Sequence, residues 1–379
     1  MAEKTEKKKQ IKKSFRMFTA GPVNVTDTVK QSLAYPEMGH REPEFEKLYE
    51  EVRKKLLRVF GVDTGKYNSF VIGGSGTAAM ESVISAMVHR GRKMLVINNG
   101  AFGDRISEIC DVYGIPTLKT GQQWGEYPKF RGIENLLLQE PDIEAVSMVF
   151  METSTGMVNP VREVGELCKK YGKMFAIDAI SGFAGDHLDI EESGVDFVVS
   201  NTNKGVSGLP VISFALVKKS AVEKIRDIPE RSYYLSLLKH LKYAEKNQTP
   251  FTPQIPLFFM LNQALEELLE EGVENRHKRY RENSILMRQR LKELGFRFQL
   301  PEEQMSNVMT NVLVPGNYKY EEFHAPLKKK GYIIYPGKGP LEGKVLHIAN
   351  VGTHTTKDVG GFCDALAKIV EKKKVEYLL

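Results

Sequence analysis

Between about residue 65 and residue 220 the chain alternates short apolar runs with amphipathic helical stretches, and no other feature restricts its fold as strongly. "SFVIGG" (69–74) reads as a strand and is followed by the helical "TAAMESVISAMV". "KMLVINNG" (93–100) is followed in the same way by "FGDRISEICDVYG". "AVSMVFME" (145–152), "MFAIDAI" (174–180), "FVVSN" (197–201) and "ISFALVKK" (212–219) complete the set. Short, mainly apolar strands separated by helices need cover on both faces, so the pattern predicts an α/β fold with a mostly parallel sheet between helices. Beyond it, residues 255–295 carry apolar side chains at three- and four-residue intervals, with Gly295 as a stop. "NVMTNVLVPG", "GYIIYPG", "KVLHIANVG" and a helix over 357–373 then predict a smaller C-terminal α+β domain. The expected division is a basic arm (1–16), a large domain (17–265) and a small domain (266–379), within a chain of 379 residues.

Charge and cysteine content exclude several classes. The net charge of +6 owes much to the first residues, where Lys4, Lys7, Lys8, Lys9, Lys12, Lys13 and Arg16 cluster. This arm lacks the aromatics of a single-strand binder and the apolar face of a membrane helix, so it reads as solvated and disordered, and a nucleic-acid partner is not expected. Cys110, Cys168 and Cys363 are far apart and show no metal-ligand spacing. Such sparse, odd usage predicts a reducing, cytoplasmic setting and no metal. No apolar run approaches a membrane span, and no secretory leader is recognisable.

In open α/β sheets, ligands bind beyond the carboxyl ends of the strands, and several polar clusters fall there. "GGSGTAAMES" (73–82) places Ser75, Gly76 and Thr77 at a helix start, where free N–H groups and the helix dipole favour an anion. Alone, such a turn equally well just caps a helix, and it is not a P-loop. Asp178 ends "MFAID", where it could simply cap the next turn. "METSTGMVNP" (151–160) could be only a hydroxyl-rich loop. Lys204, after "FVVSN", could be an ordinary surface lysine. Taken together they point to one chemistry. A partly desolvated lysine amine can condense with an aldehyde. An aspartate 26 residues upstream, on a neighbouring strand end, can pair with a protonated pyridine nitrogen. A glycine-rich helix start can hold a phosphate. These are the demands of pyridoxal 5'-phosphate (PLP).

The motifs "GGSGTAAMES", "NNGAFGDR", "METSTGMVNP", "AIDAISGFAG", "NTNKGVSGLP" and "GYIIYPGK", in this order, resemble the class V aminotransferases of PLP fold type I, and within them the branch acting on 2-aminoethylphosphonate and pyruvate. The resemblance implies that Lys204 forms the Schiff base with the cofactor and shuttles a proton, and that Asp178 pairs with the pyridinium nitrogen. It implies that Phe102 stacks on the cofactor, that Ser75, Gly76 and Thr77 bind its phosphate, and that Thr153 meets its phenolic oxygen. Thr252, in "PFTPQIP", falls where the family lets the neighbouring subunit reach the phosphate, which implies a homodimer with shared active sites. One departure stands out. Relatives commonly carry an arginine before "IGNIG" that grips the substrate's acidic group, and here "LHIANVG" puts His347 in that place. Arg105 in "FGDR" and the pair His40 and Arg41 in "MGHREPEF" are the other candidate anion contacts.

The expected activity is therefore transfer of an amino group from a small phosphonate-, phosphate- or carboxylate-bearing amine to a keto acid such as pyruvate or glyoxylate. A PLP-dependent lyase of the same fold is the alternative. Its desulfurase version needs a mobile cysteine, whereas Cys363 lies in the helical "GGFCDALAKIV", and Asn203 stands where desulfurases usually place a histidine. A non-catalytic nucleotide- or nucleic-acid-binding protein would leave Asp178 and Lys204 unexplained.

Overall fold

Residues 14–371 and 373–377 are described by a computed structural model, so residues 1–13 of the basic arm lie outside the described part. Arg16, at the end of that arm, opens β1 (Arg16–Met17). The short α1 (Asp27–Gln31) leads to α2 (Pro43–Val59), which starts on a proline suited to a first helical turn. Its buried Phe45, Leu48, Tyr49, Val52 and Leu56 recur every three or four residues and give it one apolar face.

The expected alternation follows as β2 (Tyr67–Gly73), α3 (Gly76–Ile84), β3 (Lys93–Ile97) and α4 (Ala101–Val112). Next come β4 (Thr117–Lys119), α5 (Phe130–Gln139) and β5 (Ile143–Val149). A small hairpin of β6 (Met151–Glu152) and β7 (Met157–Val158) precedes α6 (Val161–Lys170). Three more strands, β8 (Met174–Asp178), β9 (Phe197–Asn201) and β10 (Ile212–Lys218), complete a seven-stranded sheet in the order β2-β10-β9-β8-β5-β3-β4. Only β10 runs against its neighbours β2 and β9; the other pairings are parallel. The helices α3, α4 and α6 pack on this sheet.

Two features of the topology position the site. The chain steps from β3 outward to β4 and then back across to β5, so the strand order reverses between β3 and β5 and the loops leaving their carboxyl ends diverge. The register also sets Val149, Asp178 and Val199 side by side, so β5, β8 and β9 finish nearly level.

After α7 (Lys219–Ile225) and α8 (Leu237–Ala244), the helical region read as 255–295 is two helices, α9 (Ile255–Glu271) and α10 (Val273–Glu293), separated at Gly272. The Glu271 carboxylate spans the break to Arg276 and Arg279, each at 2.7 Å, which holds the two helices in their bent arrangement. The C-terminal unit contains β11 (Met309–Leu313), α11 (Tyr320–Lys329), β12 (Tyr332–Ile333), β13 (Tyr335–Pro336), β14 (Val345–Ala349) and α12 (Thr356–Val370). Its antiparallel sheet has the order β11-β14-β13, and β12 pairs in parallel with β1.

The apolar cores do not divide the chain at residue 265. Phe18 stacks on His354 and Phe362 at 4.3 and 4.2 Å and belongs to the C-terminal core. Burying such a ring is worth about 1.5–3 kcal/mol, enough to fasten the N-terminal strand to that unit. On α10, Tyr280 joins the first core while Met287 and Leu291 join the second, and Met309 of β11 and Ala349 of β14 also pack in the first core. No helix among the described residues is long and apolar enough to cross a membrane.

Candidate active site

Asp178 is the last residue of β8 and only 5% exposed. One of its carboxylate oxygens accepts the Ile180 N–H at 2.8 Å, and the other meets no donor among the described residues. Burial, with the nearby charge of Glu152, pushes its pKa up to about 6, against the pull of the Ile180 N–H, Arg105 and Lys204. Lys204 follows β9 by three residues and is largely enclosed. Burial depresses its amine to about 8; Asp178 opposes this, and the cations Lys338 and Arg105 add to it. The two residues that the sequence placed at adjacent strand ends thus sense each other's charge.

Backbone packing holds Lys204 from two sides. A Cβ built on Gly21, whose φ is +134°, would lie 2.7 Å from the Lys204 Cδ and Cε and 2.9 Å from Nζ, so only glycine lets the "AGP" segment cover the amine. On the other side the buried Arg276 donates from Nη1 to the carbonyls of Gly205 (2.9 Å) and Val206 (3.4 Å), while its Nε pairs with Glu271. Neither Gly21 nor Arg276 stood out in the sequence. A glycine before a proline reads as a turn, and an arginine on a charged helix reads as a solvated face.

Two glycine-rich strand-to-helix turns face the crevice, and only one has a free helix start. At α4, the fully buried Glu152 accepts the N–H groups of Phe102 and Gly103, each at 3.1 Å. It also accepts the Ser154 N–H (3.1 Å) and hydroxyl (2.5 Å). Burial raises the Glu152 pKa against these four bonds. The N–H groups of this helix end therefore already have their acceptor within the chain. At α3, Ser75 is the exposed N-cap and makes no side-chain cap, and the N–H groups of Gly76 and Thr77 find no acceptor among the described residues. A Cβ on Gly76 would meet Ile180 Cδ1 at 2.3 Å and Asn201 Nδ2 at 3.3 Å, so this open cradle sits against the segment that orients Asp178.

Around these groups, Thr153 donates its hydroxyl to Ser181 at 2.6 Å. The Phe102 ring carries the Arg105 guanidinium at 4.7 Å and the Lys338 ammonium at 5.5 Å. Buried side-chain oxygens of Asn201 and Asn203 have no partner among the described residues. These groups fit PLP: an amine of lowered basicity, a buried carboxylate with a free oxygen, an uncapped helix start, an aromatic face and unsatisfied amide oxygens.

His347 is held within the small C-terminal sheet. It is 5% exposed on β14, and its Nε2–H donates to the Ser154 carbonyl at 3.0 Å. Burial pushes its pKa down to about 4, with Lys338 adding and the Ser154 bond opposing, so the ring is neutral near pH 7. It props the Ser154 loop and through it Glu152. The exposed Lys338, absent from the candidates read in the sequence, lies over the Phe102 ring and close enough to act on the Lys204 amine. Arg41 donates to Gln248 Oε1 (2.6 Å) and to the Thr249 carbonyl (2.8 Å), which places it beside the segment bearing the exposed Thr252. No hydrogen bond, ion pair or ring contact ties His40, Arg41 or Thr252 to Lys204, Asp178 or Phe102 among the described residues. Cys363 is fully buried, and its thiol is pushed up to about 12 by burial, which suits core packing and not a nucleophile.

A family profile described as aminotransferase class-V matches residues 19–340. A bifunctional phosphonoacetaldehyde hydrolase/aminoethylphosphonate transaminase of Clostridioides difficile is 35% identical over 361 residues; these are 94% of this chain, which spans only 56% of that relative's length. A 2-aminoethylphosphonate–pyruvate transaminase of Lysinibacillus sphaericus is 32% identical, over 96% of this chain and 99% of its own. Among solved structures, an alanine–glyoxylate aminotransferase of Nostoc sp. superposes with a TM-score of 0.89 at 26% identity, over 94% of this chain and 96% of that one.

Proposed function

The chain belongs to the class V aminotransferases, PLP-dependent enzymes of fold type I, and we propose that its amino donor is a small amine with an anionic group, such as 2-aminoethylphosphonate, and its acceptor a short keto acid, pyruvate or glyoxylate. The observation that carries this reading is the group of cations around the crevice. Arg105 and Lys338 lie near the Lys204 amine, and Arg105 also acts on Asp178, while Glu152 is already engaged by four donors at α4. The excess of positive charge favours substrates that bring negative charge with them.

PLP, when bound, supplies an aldehyde that holds the donor nitrogen and an electron-withdrawing ring that acidifies the adjoining carbon. The protein does the rest. The N–H groups of Gly76 and Thr77, with the Ser75 hydroxyl, would hold the phosphate at the start of α3. Asp178, ionised above about pH 6, would keep the ring nitrogen protonated, and Phe102 would cover one face of the ring. Lys204, whose amine is depressed to about 8, has a sizeable neutral fraction near pH 7.5 and is suited to take and return a proton at Nζ. Thr153, already bonded to Ser181, would fix the phenolic oxygen. Arg105 and Lys338 would orient the anionic end of the donor and the carboxylate of the acceptor.

The same reading includes a homodimer in which Thr252, with His40 and Arg41 beside its segment, reaches the neighbouring subunit's site; the Arg41 contacts to Gln248 and Thr249 support treating them as one surface. Three free, buried cysteines support a cytoplasmic location. The test is a half-reaction experiment: the cofactor absorbance of the holoenzyme should change on adding 2-aminoethylphosphonate alone and return on adding pyruvate or glyoxylate. Release of ammonia or phosphate without return of the absorbance would replace the transaminase with a lyase.

A further inference from the structure

The loop after β8 and the first turn of α10 bring together three side chains that the chemistry above does not use. Glu274 and His277 lie one helical turn apart, with Glu274 Oε1 3.7 Å from His277 Nδ1. The His187 ring approaches His277 edge-on, with centroids 6.4 Å apart and planes at 82°. One ligand atom from each of the three lies within 4.8 Å of the others. Apart from the Glu274–His277 contact and this ring approach, none has a polar partner among the described residues.

We propose that His187, Glu274 and His277 form a binding site for one divalent metal ion of the zinc class. Two imidazoles and a carboxylate with an open fourth position are a common zinc set, whereas calcium and magnesium favour more oxygens. Zinc–ligand bonds of about 2.0–2.2 Å put tetrahedral ligands roughly 3.3–3.5 Å apart. The atoms therefore have to close by up to about 1.4 Å, which rotation of the exposed His187 and Glu274 side chains provides while the less exposed His277 serves as the anchor. The negative charge of Glu274 also offsets the positive end of the α10 dipole, which would otherwise oppose a cation there.

The site would cross-link the two segments that flank the Lys204 turn. A Cβ built on Gly205 would lie 2.0 Å from the Phe183 carbonyl oxygen, so the segment leading to His187 packs on the turn, and Arg276, next to His277, donates to the Gly205 carbonyl. A bound ion therefore stiffens the support of the turn without touching the cofactor site. The residues escape a motif search because 87 positions separate His187 from Glu274.

The test is calorimetric titration of chelator-stripped holoenzyme with Zn²⁺. The wild-type protein should take up one ion per chain and unfold at a higher temperature in its presence. His187→Ala and His277→Ala should each weaken binding by at least about tenfold, and the near-isosteric Glu274→Gln should weaken it as well. Far-UV circular dichroism and cofactor absorbance of the variants, unchanged from wild type, show that fold and cofactor are retained. Absence of saturable uptake by the wild type, or uptake of unchanged affinity in the His187→Ala/His277→Ala double variant, overturns the proposal.

Discussion

Gly21→Ala separates the tethered lysine from the free one. The new methyl would stand 2.7 Å from Lys204 Cδ and Cε, where ordinary carbon contacts are about 3.5–4.0 Å, so the lysine must retreat by roughly 0.8–1.3 Å. In the cofactor-free enzyme the flexible side chain can rotate away at little cost. Once the amine is tied to a cofactor that is itself held by α3 and Asp178, it cannot. The clash therefore belongs to the loaded state and, as local overpacking, costs about 1–3 kcal/mol there, a five- to 150-fold loss of cofactor affinity. The alanine also has to adopt φ near +134°, a strain of about 1–3 kcal/mol that is present in both states. Two measurements resolve these contributions: thermal unfolding of the cofactor-free variant reports the backbone strain, and absorbance titration with PLP reports the clash. If the cofactor-free variant is destabilised while its PLP affinity stays within about twofold of wild type, the placement of Gly21 against the tethered amine is refuted.

Other perturbations address the charges. Lys338→Met, at an exposed position, should lower kcat/KM for an anionic donor by about fivefold, and Arg105→Met, less exposed, by about ten- to 100-fold. An uncharged amine of similar size should be affected by neither, and equal losses for both amines would remove the two cations from substrate binding. The rate at which cofactor-free enzyme captures PLP requires the neutral amine, so it should rise with pH and level off above about 8, where an ordinary lysine would keep rising toward its usual value near 10.5; a continued rise contradicts the depressed Lys204. His347→Arg would force a charge into a site that is 5% exposed and break the bond to Ser154, so it should lower the Tm without improving use of anionic donors. Improved kcat/KM for such donors would return position 347 to the substrate.

The parts of the fold that local pattern controls were legible in the sequence. β5, β8 and β9 are mostly apolar and buried because both faces are covered, and Asp178 closes β8 while Lys204 follows β9 by three residues. The reversed direction of β10 was not legible, since its buried run ISFALVK looks the same whichever way the strand points. The break between α9 and α10 was hidden because apolar spacing continues across Gly272, and it depends on Glu271 meeting two arginines in space. In the site, Lys338, the helix-capping role of Glu152 within the METSTGMVNP cluster, and Arg276 escaped for a shared reason. Each acts through partners far away in the chain: the Phe102 ring, the start of α4, and the carbonyls after Lys204. His347 shows the converse. Its place in a motif suggested a substrate contact, and in the structure it lies enclosed in the β11-β14-β13 sheet with its ring bonded to the Ser154 carbonyl, a setting the motif did not show.

The central claim is that this chain performs amine chemistry on a cofactor held by Lys204 at the mouth of β9. The most direct measurement is reduction of the holoenzyme with borohydride followed by peptide mass mapping. The account predicts one phosphopyridoxyl group per chain, on the peptide containing Lys204, and none in Lys204→Ala. A label on Lys338 or any other lysine, or a trapped adduct that persists in Lys204→Ala, would contradict it.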